Sequence, residues 1–144
     1  MAVTVVTILT ILASVSLHYY VLNQLNAVID KRSKTQQWMV LLMVVIILVT
    51  HFLEVMAFSS VYWLFASHFA ISTFEEAVFL SFLSYSTLGF VDFELSDYYR
   101  LILGVEALCG LLLIAWSASF TFIAMHRLWE CDQCDQARIN SLDQ

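Results

Sequence analysis

The stretch Thr73–Asp92, TFEEAVFLSFLSYSTLGFVD, constrains the fold more than any other, being too apolar for an ordinary loop and too short for an ordinary membrane span. Thr73 followed by Glu75 and Glu76 is how a helix N-terminus is usually written, with a hydroxyl for the free N–H groups and acids at the positive end of the dipole. The apolar run Ala77–Leu83 carries the helix on, and Ser84-Tyr85-Ser86-Thr87 followed by Leu88-Gly89 ends it. From Thr73 to Tyr85 such a helix runs about 20 Å, at about 1.5 Å per residue, against a hydrocarbon core of about 30 Å. It enters a membrane without crossing it. Non-helical backbone at that depth is tolerated only where protein buries it or where it lines a water-filled path.

A membrane is the expected setting because 61% of the 144 residues are hydrophobic, 12% are charged and none is proline. The formal charge of −6 is no nucleic-acid footprint. The acids gather instead around Gly89 (Glu75, Glu76, Asp92, Glu94, Asp97) and towards the C-terminus (Glu130, Asp132, Asp135, Asp143). An acidic cluster of the first kind, at the mouth of a pore, concentrates cations.

Ala2–Ile29 carries no formal charge and is long enough to span. It lacks the basic leader and cleavage pattern of a signal peptide, so a retained helix is expected. Lys31, Arg32 and Lys34 follow, three of the six basic residues, and place that turn in the cytoplasm. Gln37–Ala66 is the second span, with Trp38 at one end and Tyr62-Trp63 at the other as interfacial aromatics. The third runs from Tyr99 to about Met125 and returns the chain inside, where Arg127 and Arg138 agree. The expected division is 1–29, an extra N-terminal span; 30–36, a cytoplasmic turn; 37–126, a pore domain; and 127–144, a short cytoplasmic tail. The pore domain divides into an outer helix 37–66, a short helix 73–86, a loop 87–92 and an inner helix 99–126. The N-terminus is expected outside the cell membrane and the C-terminus inside. Neither of the first two spans carries the spaced arginines of a voltage sensor, and no soluble ligand-binding domain is expected.

Thr87-Leu88-Gly89-Phe90-Val91-Asp92 resembles the selectivity filter of pore-loop potassium channels, Thr-(Val/Ile/Leu)-Gly-(Tyr/Phe)-Gly-Asp. Ala77–Phe82 resembles the pore helix before that filter, and Arg100 with Gly110 ten residues on resembles the start and hinge glycine of the inner helix. The resemblance covers Thr73–Met125 and implies an all-α membrane fold: three transmembrane helices and a re-entrant pore helix per subunit, four subunits forming a homotetramer in the lipid bilayer. It implies a channel and not an enzyme, with K+ ions held by the backbone carbonyls of Thr87, Leu88, Gly89 and Phe90, and the Thr87 hydroxyl at the inner end. Asp92 and Glu106 would support the filter. Gly110, Ile114, Ala118, Phe122 and His126 recur every four residues, the face that lines the cavity and gate in such channels, with Phe122 as a constriction and Gly110 as the hinge. Gly104 is expected only to permit close packing.

The departure is Val91, the last filter residue, where the family has a second glycine. A β-branched residue at positive φ is an outlier costing about 1–3 kcal/mol. A non-selective or sodium-permeable channel is therefore the alternative, and a non-conducting, channel-like sensor subunit a further one. Phe79 and Leu83 stand where many relatives place polar partners for the filter aspartate, which leaves Tyr98 or Arg100 as donors to Asp92.

Three further residues are costly inside a membrane. His51 and Glu54 share a face of the second span, and His18 lies at roughly the same depth, within about 5 Å along the helix. Such a cluster either glues helices together or responds to pH. Cys131 and Cys134 form a C-x-x-C with no second pair, a weak metal or redox candidate, and no metal is expected.

Overall fold

The computed structural model describes residues 2–30, 37–69, 71–89 and 97–142, without the side chains of 30, 37, 97, 98 and 128–142. The fold is all-helical, with no strand among the described residues: α1 (Ala2–Asp30), α2 (Gln37–Leu64), α3 (Phe74–Tyr85) and α4 (Asp97–Leu142), plus a single 3₁₀ turn at Ala66–His68. Three stretches are long and apolar enough to cross a membrane, Ala2–Ile29, Trp38–Leu64 and Tyr99–Arg127. With no proline to break a backbone hydrogen bond, each persists as one helix. α4 runs on as helix beyond its span to Leu142, through the segment expected as a tail.

The short helix α3 has 12 residues and is fixed at its start by a capping box. The Glu76 N–H donates to the Thr73 hydroxyl at 3.2 Å, and the Glu76 carboxylate accepts from the N–H groups of Thr73 at 3.3 Å and Ser72 at 2.7 Å. Two of the N–H groups that a helix start leaves unpaired, and that of Ser72 just before them, are thereby satisfied.

α3 packs on α2 and α4, and α1 packs on the same two helices. Two apolar clusters result. One gathers Phe58 and Tyr62 of α2, Phe69 of the following turn, Leu80 and Tyr85 of α3, and Leu103 and Leu113 of α4. The other joins Leu22, Leu25 and Ile29 of α1 to Met43 and Ile47 of α2 and Ala124 of α4. Beyond it, Arg127 donates to the Asn26 side-chain oxygen at 3.2 Å and fastens α4 to α1.

In lipid, helix association rests on close packing and polar contacts, because the surroundings are as apolar as leucine. Small and polar residues accordingly occupy the seams: Ser59, Ser81, Ser84 and Ser117 are all buried. Gly110 is the tightest point. A Cβ there would collide with the Tyr85 carbonyl oxygen and stand 2.9 Å from the Tyr85 Cγ, so glycine lets α4 lie directly against the end of α3.

Candidate functional site

The end of α3 turns abruptly. The N–H of Ser86 donates to the Phe82 carbonyl at 3.0 Å, that of Thr87 to Ser84 at 2.9 Å and that of Gly89 to Leu83 at 3.3 Å, which closes off the last carbonyls of the helix. Thr87 has φ 60° and Gly89 φ 68°. At Gly89 a Cβ would find only the Thr87 carbonyl, at 3.9 Å, so the backbone angle, not crowding, calls for glycine. Thr87 is β-branched in the same left-handed region, a strained state that persists only when its surroundings enforce it. Leu88, between them, is 60% exposed. Phe90, Val91 and Asp92 lie outside the described residues, and with them the expected bond from Asp92 to Tyr98 or Arg100.

Two polar networks hold this turn from behind. In the first, Glu106 of α4, fully buried, accepts from the Ser81 hydroxyl at 2.6 Å and from the Tyr62 hydroxyl. One turn further along α3, the Ser84 hydroxyl donates to the Leu103 carbonyl at 2.7 Å. α3 is thus hydrogen-bonded along its α4 side as well as packed there.

The second network brings together His18, His51 and Glu54. Glu54 is fully buried and His18 is 1% exposed. His18 Nδ1 lies 2.9 Å from Glu54 Oε1, and His51 Nδ1 lies 3.1 Å from Oε2. The Tyr85 hydroxyl donates to the same Oε2 and stands 2.8 Å from His51 Nδ1. The Ser117 hydroxyl oxygen sits between the two remaining ring nitrogens, 2.9 Å from His18 Nε2 and 3.0 Å from His51 Nε2. Each of the four helices contributes to it: His18 from α1, His51 and Glu54 from α2, Tyr85 from α3 and Ser117 from α4.

Tyr85, Ser81 and Ser117 are the functional side chains that sequence reasoning missed. The signal was present as spacing: Ser81 and Tyr85 are four apart on α3, and Ser117 continues the buried stripe of Cys109 and Leu113 on α4. The donor atoms of His18, His51 and Glu54 lie within 4.8 Å of one another, a spacing that a metal ion could use, but each already faces a hydrogen-bond partner within the network. Cys131 and Cys134 lie on the helical backbone of α4, their side chains outside those described.

The residues of the expected gate face do not gather within the subunit. Gly110 is turned to Tyr85, whereas Ile114, Ala118 and Phe122 are exposed, Phe122 at 71%. The rings of Phe122 and His126 lie 6.5 Å apart. α4 passes through Gly110 as unbroken helix.

No curated protein and no solved structure matches the chain. Residues 37–127, from the start of α2 to the end of the third span, match the family described as "Ion channel", well over half of the sequence. The chain therefore belongs to the two-transmembrane ion channel family, as a multi-pass membrane protein with one further apolar helix, α1, ahead of the matched region.

Proposed function

We propose that four copies of the chain surround a single axis and conduct cations passively, potassium first among them, through rings of backbone carbonyls from Thr87, Leu88, Gly89 and Phe90. The observation that carries this is the turn after α3. A capped helix too short to cross a membrane ends in Thr87 and Gly89, both in the left-handed region, within the span of sequence that matches the channel family. In such a pore the carbonyls replace the hydration shell of a permeating ion. One subunit offers one strand of each ring, and a rotation axis supplies the others.

In this arrangement α3 is the re-entrant pore helix and Glu106 steadies it by way of Ser81. α4 is the inner helix, with Phe122 at its constriction. The exposed apolar side chains Phe79, Phe82 and Leu88 meet neighbouring subunits. The chain sits in the cell membrane with its N-terminus outside and its C-terminus in the cytoplasm, as the basic residues of the 30–36 turn favour.

Val91 favours a second reading, a pore permeable to sodium as well. Cation uptake into proteoliposomes under potassium and sodium gradients tests both. Selective potassium uptake is expected. Equal uptake that becomes potassium-selective in Val91→Gly supports the sodium-permeable pore, and absence of uptake in both the parent and Phe122→Ala contradicts conduction altogether.

A further inference from the structure

The contacts among His18, Ser117, His51 and Glu54 close a ring: His18 Nδ1 to Glu54 Oε1 at 2.9 Å, His18 Nε2 to Ser117 Oγ at 2.9 Å, Ser117 Oγ to His51 Nε2 at 3.0 Å, and His51 Nδ1 to Glu54 Oε2 at 3.1 Å. Each of these four hydrogen bonds needs one proton between its two atoms. A neutral imidazole carries one ring proton, a hydroxyl carries one and an ionised carboxylate none. Two neutral histidines and Ser117 therefore supply three protons for four bonds. Tyr85 does not make up the difference, because its own proton is directed at Glu54 Oε2 and its oxygen can only accept from His51 Nδ1.

With three protons, one pair of atoms about 3 Å apart would face each other through lone pairs, too close for a water to stand between them. Buried as the group is, an unmade bond of that kind costs about 1–3 kcal/mol. The charge balance leads the same way. Three protons leave the ring with the single negative charge of Glu54 inside the membrane, whereas four make it neutral overall.

We infer that this ring is a proton-binding site holding one proton more than two neutral histidines, Ser117 and an ionised Glu54 would carry. The proton comes from hydronium in the aqueous phase, whose O–H bond breaks to leave water as an N–H forms on one imidazole or an O–H on the carboxyl group, with no bond broken in the protein. Ser117, donating to one Nε2 while accepting from the other, lets it pass between His18 and His51 by reversing its own hydroxyl. Among the described residues, the other titratable groups near the ring are Cys109 and Glu106 on α4, the latter occupied by Ser81 and Tyr62. Trp116, its ring 5.7 Å from that of His18, covers the α1 side.

The consequence is a pH-dependent tie between the additional helix and the pore. Tyr85, bonded to Glu54, lies two residues before Thr87. When the proton is lost, one of the four bonds fails and the hold of α1 and α2 on the end of α3 loosens. The sign follows from proton counting. Above about pH 6.5, ordinary histidines in the unfolded chain are neutral, so the folded state binds the extra proton and stability falls as pH rises.

Glu54→Gln separates this from a merely structural role. The amide donates the fourth proton itself, to His18 Nδ1, and its oxygen still accepts from His51 and Tyr85, so the ring closes with neutral histidines. The experiment is magic-angle-spinning NMR at pH 7 on the full chain in lipid bilayers, with ¹⁵N-labelled histidine and ¹³C-labelled glutamate, in a His68→Gln, His126→Gln background. The expected result is either one imidazolium with an ionised Glu54 or two neutral rings with a protonated Glu54, and two neutral rings in Glu54→Gln. Two neutral imidazoles beside an ionised Glu54 would overturn the proposal, as would an imidazolium that survives in Glu54→Gln. Thermal melting gives a second readout, taken above the range in which the unfolded chain's histidines bind protons: a melting temperature that drops more steeply from pH 7.5 to pH 8.5 in the parent than in Glu54→Gln; equal slopes count against the site.

Discussion

At the scale of single residues, the charged groups were the legible ones. His18, His51, Glu54 and Glu106 stand out in the sequence because an ionisable side chain deep in an apolar span is expensive and so has a reason. That His18, His51 and Glu54 meet was legible from their shared depth, but their hydroxyl partners were not. Tyr85 meets Glu54 across 31 residues of sequence and Ser117 meets His51 across 66, and hydroxyls are too common in membrane helices to draw notice. Gly110 has a second role beside the expected one. It is proposed as a hinge, and its missing side chain also provides room for Tyr85. Gly110→Ala forces a methyl group into the Tyr85 backbone and is expected to cost about 1–3 kcal/mol by overpacking, read as a lowered midpoint in thermal or denaturant unfolding in detergent. Gly104→Ala, with nothing within 4 Å of its Cβ in the subunit, is the control. An unchanged midpoint in Gly110→Ala would mean that α4 lies further from α3 than the structure has it.

At the scale of elements, helix α3 owes its position to devices at each end. Its start was readable, because a capping box is local chemistry: Thr73 and Glu76 are three apart and satisfy each other's neighbours. Thr73→Ala removes the acceptor for the Glu76 N–H and is expected to destabilise by about 1 kcal/mol. Hydrogen exchange should accelerate first at the N–H groups of Glu75–Ala77, and uniform acceleration over all four helices would argue against a local cap. The far end of α3 was readable as a stop but not as a bonded junction, because its fastening depends on Glu106 and Leu103 of α4 and on the ring around Glu54, all brought in by tertiary packing.

At the scale of the whole molecule, the three spans followed from length and composition alone, since an uninterrupted apolar run in a proline-free chain has few alternatives to a membrane helix. The way α1 joins the other two was legible in part: His18 falls at the depth of His51 and Glu54, and the three meet, whereas nothing in the sequence marked Tyr85 and Ser117, which complete the junction. The subunit leaves Leu88, Phe79, Phe82 and Phe122 exposed on the segments nearest the proposed axis, at 60%, 57%, 41% and 71%. A four-fold assembly turns the first three towards neighbours and Phe122 towards the axis. The measurement that tests this most directly is a single-particle electron cryomicroscopy map of the protein in lipid nanodiscs with potassium present. Four copies around one axis, with ion density ringed by the carbonyls of residues 87–90, is the predicted result. A monomer or dimer, or an assembly in which residues 87–90 face lipid, would contradict it.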